Sequence, residues 1–152
     1  MFLSGSDRAL RRVVAVGALA LGSAVTQAGQ VKPERFALLE QQQLALACTV
    51  AMNVRGDQAM RNEDSTNGER LTALQQYMFA TRVWMLDAKV EDTLLNHWTR
   101  TFHSQSAVER SAQSSYCFAA AAARVDAMPE HDVRRLRVEG YDMAQTIWAR
   151  YQ

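Results

Sequence analysis

The sequence predicts an all-α fold, a compact bundle of about four helices. Three observations carry this. Long stretches are rich in Ala, Leu, Gln, Glu, Arg and Met, all strong helix formers. The two prolines, Pro33 and Pro129, stand where helices begin or end. No segment alternates cleanly enough, or holds enough β-branched residues, to form a strand.

The first helix is expected over about residues 33–55, opened by Pro33, whose fixed φ suits a first helical turn. Phe36, Leu39, Leu46, Val50 and Val54 recur at helical spacings and form its core stripe, with Cys48 on the flank. Gly56 and Asp57 weaken its end, and "RNEDSTNG" (61–68) is the clearest loop in the chain.

A second helix is expected over about 69–98. Leu71, Leu74, Met78, Met85, Leu94 or Leu95 and Trp98 line one side, while Tyr77, Phe79, Val83, Trp84 and Leu86 place apolar surface elsewhere. A helix apolar on several sides lies centrally. The stripe shifts at Asp87, which marks a bend, and "TRTFHSQS" (99–106) is polar and in part non-helical.

The third helix covers about 106–127 and ends at Pro129, because the residue before a proline leaves the helical region. The fourth runs over about 130–150 and buries Val133, Leu136, Gly140, Met143, Ile147, Trp148 and Tyr151.

The N-terminus reads as an address. Arg8, Arg11 and Arg12 outweigh Asp7, and thirteen apolar or small residues follow from Val13 to Val25. Thr26 and Ala28 supply the small residues a signal peptidase reads, so residues 1–28 form a signal peptide cleaved after Ala28. The run is shorter than the about 20 apolar residues of a membrane span. Residues 29–152 then form one helical domain, located in the bacterial periplasm or secreted, with no transmembrane segment after cleavage.

Cleavage removes three arginines and one aspartate, leaving 14 basic and 15 acidic residues. A near-neutral chain has no electrostatic footprint for nucleic acid. Both cysteines, Cys48 and Cys117, survive cleavage, and two cysteines in an oxidising compartment predict one disulfide. An intermolecular bridge or two free thiols are the alternatives.

The bridge constrains the fold. In a square up-down-up-down bundle the first and third helices lie diagonally, beyond the about 8–10 Å between neighbouring axes. A disulfide needs Cα atoms about 4.4–6.8 Å apart. Either the bundle is not the simple square or the bridge does not form; the first is expected, with helices one and three in contact. Ser114, Ala120 and Ala121 share the face of Cys117 and let two backbones approach; without a crosslink, the run of five alanines simply favours helix.

Catalytic and metal-binding patterns are weak. His97, His103 and His131 lack the i, i+4 partner of a metal pair, and no C-x-x-C-H haem motif occurs. A calcium loop started at Glu63 would place Leu74 at the twelfth position, where a bidentate Glu is required. Asp87 and Glu91, one turn apart with Asp92 beside them, read as a solvated face; with His97 they would be the site of an unfamiliar enzyme. "RRLR" (134–137) is flanked by Glu130, Asp132 and Glu139 and reads as a salt-bridged surface.

The aromatic residues remain. Trp84, Trp98, Trp148 and Tyr141 are candidate interface residues, since Trp and Tyr dominate binding hot spots. The expected function is therefore non-enzymatic binding of another protein, in the manner of an inhibitor or immunity protein, with no cofactor. The alternative is a small-ligand or haem carrier using the bundle interior.

Overall fold

The computed structural model describes residues 40–88 and 90–152, all within the compact unit Val31–Gln152. Residues 1–28, expected to form a signal peptide, lie outside the described residues, as do Pro33, Phe36, Leu39 and Lys89. Among the described residues five α-helices follow in order: α1 (Gln41–Met60), α2 (Asn67–Met85), α3 (Asp92–Ser104), α4 (Ala107–Asp126) and α5 (Glu130–Tyr151). None of them is long and apolar enough to cross a membrane.

Five helices replace the expected four because the second breaks in two. After Met85 the chain turns, with the Asp87 amide bonded to the Trp84 carbonyl at 3.2 Å. The Asp87 carboxylate is then held by Arg124 and by the Gln41 amide at 3.0 Å. Those tertiary bonds fix the corner that the shifted apolar stripe marked as a bend. The second half, α3, runs on through "TRTFHS", expected to be partly non-helical, because Phe102 on that turn is buried in the core.

A second correction concerns the end of α1. Gly56 does not stop the helix, which continues to Met60. A Cβ at Gly56 would lie 2.7 Å from Met78 Cε and 3.1 Å from Leu74 Cδ1. Glycine here admits α2 side chains rather than ending a helix.

The remaining boundaries follow local chemistry. Thr66 and Glu69 form a capping box at the start of α2, and Ser106 and Glu109 form another at the start of α4. Each satisfies two otherwise unpaired amide donors.

The centre belongs to α1 and α2 together. Every residue from Ala45 to Met52 is buried, and α1 packs on α2, α3 and α4. In turn α2 packs on α1, α4 and α5. One core cluster gathers Cys48, Met52, Val83, Trp84, Phe102, Cys117 and Leu136; a second joins Met60, Leu74, Met78 and Ala144. At the α2/α5 crossing, Gly140 packs directly on the Phe79 backbone, where a Cβ would lie only 2.6 Å from Phe79 Cα.

Helices α1 and α4 touch, as the two cysteines required. Cys48 and Cys117 form a disulfide with a Cα–Cα distance of 5.2 Å. Around it Ser114 and Ala121 are buried, and Gln113 Nε2 donates to the Ala47 carbonyl at 3.2 Å. A side-chain amide reaching a neighbouring helix's main chain shows how near the two backbones come.

Candidate functional site

The alanine run of α4 serves two sides of its helix. Ala121 is buried against the core and also lines a surface groove, together with Phe118, Ala122 and Val125 at spacings of four and three. The opposite wall is α2, which contributes Gln76, Phe79, Ala80 and Val83. The groove encloses about 300 Å³, at the lower end of the about 300–1,000 Å³ typical of ligand sites. All its lining residues except Gln76 are apolar.

Aromatic side chains stand beside it, and an arginine reaches one of them. Phe118 remains 39% exposed, although its ring meets Tyr77 edge-on at 5.6 Å. From α5, the Arg137 guanidinium sits 5.6 Å from the centre of the Phe79 ring. Tyr141 lies one turn further along α5 and is 41% exposed.

A charged side chain stands directly before Val125 in the sequence. Arg124 pairs with Asp87 and stacks on the Trp84 ring at 4.9 Å. Burial pushes the Asp87 carboxyl up, but the Gln41 hydrogen bond and Arg124 together hold it below its ordinary value. This carboxylate therefore has a structural task, tying α1, α4 and the α2–α3 corner together. His97 lies apart on the exposed side of α3, edge-on to Trp98 at 5.7 Å.

The other residues singled out by sequence fall as follows. Trp84 is only 3% exposed, and its Nε1 donates to the Cys117 carbonyl at 3.0 Å; it is a core residue and offers no surface to a partner. Trp98 packs half-buried against the main core cluster, and Trp148 against the second. Of the four aromatics, Tyr141 alone is exposed, and the four do not form one patch. His103 and His131 are exposed. Among the described residues no group of three or more His, Cys, Asp or Glu could hold a metal ion.

The "RRLR" cluster divides. Arg134 pairs with Glu130 at 2.8 Å, and Arg135 with Asp132 at 3.2 Å. Leu136 is fully buried, and Arg137 reaches Phe79. Phe79, Val83, Phe118, Val125 and Arg137 are thus the site residues that sequence reasoning missed. The signal was present in the 118, 122, 125 spacing, hidden beside a cysteine that drew attention to the opposite face.

A second, shallower depression of about 430 Å³ lies between α2 and α5, lined by Arg82, Glu139, Asp142, Met143, Thr146 and Ile147. The Arg82–Glu139 ion pair forms part of its wall, beside the apolar side chains of Met143 and Ile147. No protein-family model, no curated protein and no solved structure matches this chain.

Proposed function

We propose that this chain is an exported, non-enzymatic binding protein of the inhibitor or immunity type, which docks a segment of another protein in the α2/α4 groove. The observation that carries this reading is the groove itself. Apolar side chains from two helices line a cleft left open to solvent, with Phe118 at its mouth. Leaving such surface wet forgoes the transfer free energy that burial supplies, and exposed apolar clefts are where partners dock. A disulfide fits an oxidising compartment, which accords with export.

The alternative, a carrier of haem or another small ligand in the bundle interior, has less support. The groove is a surface feature, and neither His nor Met lines it.

Affinity capture from the exported fraction of the native host separates the two. Wild-type protein should retain one stoichiometric protein partner, and Ala122→Arg, which fills the groove from an exposed position, should lose it. A colourless protein that captures nothing, or a partner unaffected by Ala122→Arg, would count against the reading.

A further inference from the structure

We infer that Asn67–Gly68 is a self-modifying site, where attack of the Gly68 amide on the Asn67 carboxamide yields isoaspartate or aspartate, and that the isoaspartyl product unlatches the start of α2. This stands apart from groove docking and concerns only the 61–68 loop and the first turn of α2.

Several features of the pair favour the reaction. Asn67 and Gly68 are both exposed, so water reaches the reacting atoms. The Asn67 carboxamide has no hydrogen-bond partner among the described residues and is free to turn. The Gly68 amide lies in the first turn, ahead of the point where bonding within the helix starts. The first such bond runs from the Arg70 amide to the Thr66 carbonyl at 3.0 Å, and the Thr66 hydroxyl takes the Glu69 amide, not that of Gly68. Nothing outside its own stretch of chain approaches within 4 Å of where a Cβ at Gly68 would stand. Glycine also reaches the ring-closing backbone conformation without a side-chain penalty.

Asn62, in the same loop, provides the contrast. It is exposed too, but its Nδ2 donates to Ser65 Oγ at 3.0 Å and its Oδ1 accepts from the Asp64 amide at 3.2 Å. The residue after it, Glu63, carries a Cβ. What holds Asn67 back is the helix itself, because at helical ψ its Cγ does not reach the Gly68 nitrogen. The first turn must open, and the latch is the capping box. The Glu69 amide donates to Thr66 Oγ1 at 3.3 Å, and the Thr66 amide to Glu69 Oε2 at 2.8 Å. Both residues are exposed, and helix ends open at little cost.

In the reaction the Gly68 nitrogen gives up its proton and attacks Asn67 Cγ. The N–Cγ bond forms, the Cγ–Nδ2 bond breaks, and ammonia leaves with that proton. Water then opens the succinimide, its proton going to the Gly68 nitrogen. Addition at Cγ breaks the new bond and gives aspartate, whose charge suits a helix N-terminus. Addition at the main-chain carbonyl carbon breaks the original peptide bond and gives isoaspartate. The main chain then runs through Cβ and Cγ, one carbon longer, and the Glu69 amide loses its register with Thr66 Oγ1.

Ageing the purified, disulfide-bonded protein in neutral buffer at physiological temperature, then digesting it with trypsin, releases residues 62–70 as one peptide. Mass spectrometry against an unaged digest should show a gain of about 1 Da at Asn67, in two products that elute apart. The synthetic 62–70 peptide sets the reference rate, and the folded protein should convert within about tenfold of it. Gly68→Ala, which meets no neighbour, should slow conversion at least about fivefold. Thr66→Ala, which removes the cap, should speed it. Hydrogen exchange over residues 66–71 should be at least about tenfold faster in the isoaspartyl form than in unmodified protein. Conversion more than about tenfold slower than in the peptide, modification at Asn62 in place of Asn67, or a rate unchanged by Gly68→Ala would overturn the site. Unchanged exchange in the isoaspartyl form would overturn the unlatching.

Discussion

The indole nitrogen of Trp84 donates to the main-chain carbonyl of Cys117 at 3.0 Å, joining the largest core side chain to the residue that carries the disulfide. The bond makes α2 part of the α1–α4 staple. Trp84→Phe keeps most of the apolar volume and loses the donor, so it should lower stability by about 1 kcal/mol. Trp84→Ala also opens a cavity and should cost about 3–5 kcal/mol. Urea unfolding followed by far-UV circular dichroism separates the two, and equal losses would show that the hydrogen bond, not the packing, dominates.

Removing the staple should cost more than removing the bond. The disulfide closes a sequence separation of 69 residues, and the chain-entropy estimate for such a loop is about 4 kcal/mol. The double variant Cys48→Ala, Cys117→Ala should therefore melt more than about 10 °C below the oxidised protein. A melting point within a few degrees of the oxidised protein would mean that helix packing alone holds α1 against α4.

The two buried glycines should differ in their response to alanine. A Cβ at Gly140 would strike the main chain of Phe79, with 2.6 Å to Cα and 2.7 Å to N, and a helix backbone cannot step aside locally. Gly140→Ala should lose about 2 kcal/mol or more despite alanine's better helix propensity. A Cβ at Gly56 would chiefly meet the terminal methyl of Met78, which can rotate away. Gly56→Ala should be nearly neutral, because the gain in propensity offsets the displaced side chain. Thermal denaturation of both variants checks the order.

These helices show what could be read from sequence and what could not. Pro129 and the Ser106–Glu109 box are local signals, and α4 and α5 lie within a residue or two of their expected limits. The α1–α4 contact was legible because two cysteines admit one intramolecular pairing. The break before α3 depends on Asp87 meeting Gln41 and Arg124, distant in sequence, so only a shift in periodicity announced it. Gly56 misled because its use is tertiary, a gap for Met78 and Leu74. Trp84 misled for a similar reason: a partner for its indole N–H existed inside the protein. The groove was hardest to see, since Phe118 stands next to Cys117 and its role appears only when α2 supplies the facing wall.

The last turn of the chain should act as a pH-sensitive clasp. Tyr151 Oη donates to Asp57 Oδ1 at 2.8 Å and accepts from Arg61 Nη2 at 2.7 Å. The Arg61 hydrogen bond holds the Asp57 carboxyl below its ordinary value against a smaller opposing effect of burial, with Tyr151 assisting. The hydrogen bond to Asp57 holds the Tyr151 phenol above its ordinary value. A depressed carboxyl contributes stability above the carboxylate range and loses it as pH falls through that range; a raised phenol contributes below about pH 10 and loses it as pH rises further. The stability gap between wild type and Tyr151→Phe should thus be widest near neutrality, closing below about pH 4 and above about pH 10. Urea midpoints across that range check it, and a gap independent of pH would refute the clasp.

Groove docking is tested most directly by a photo-crosslinking scan in the native host. A benzophenone side chain is placed in turn at Ala119 and Ala122 on the α4 wall, and at Asp142 and Thr146 in the shallow α2/α5 depression. Groove docking predicts one discrete adduct with the same protein from Ala119 and Ala122, and none from Asp142 or Thr146. Adducts confined to Asp142 and Thr146, or none at either groove position, would contradict it.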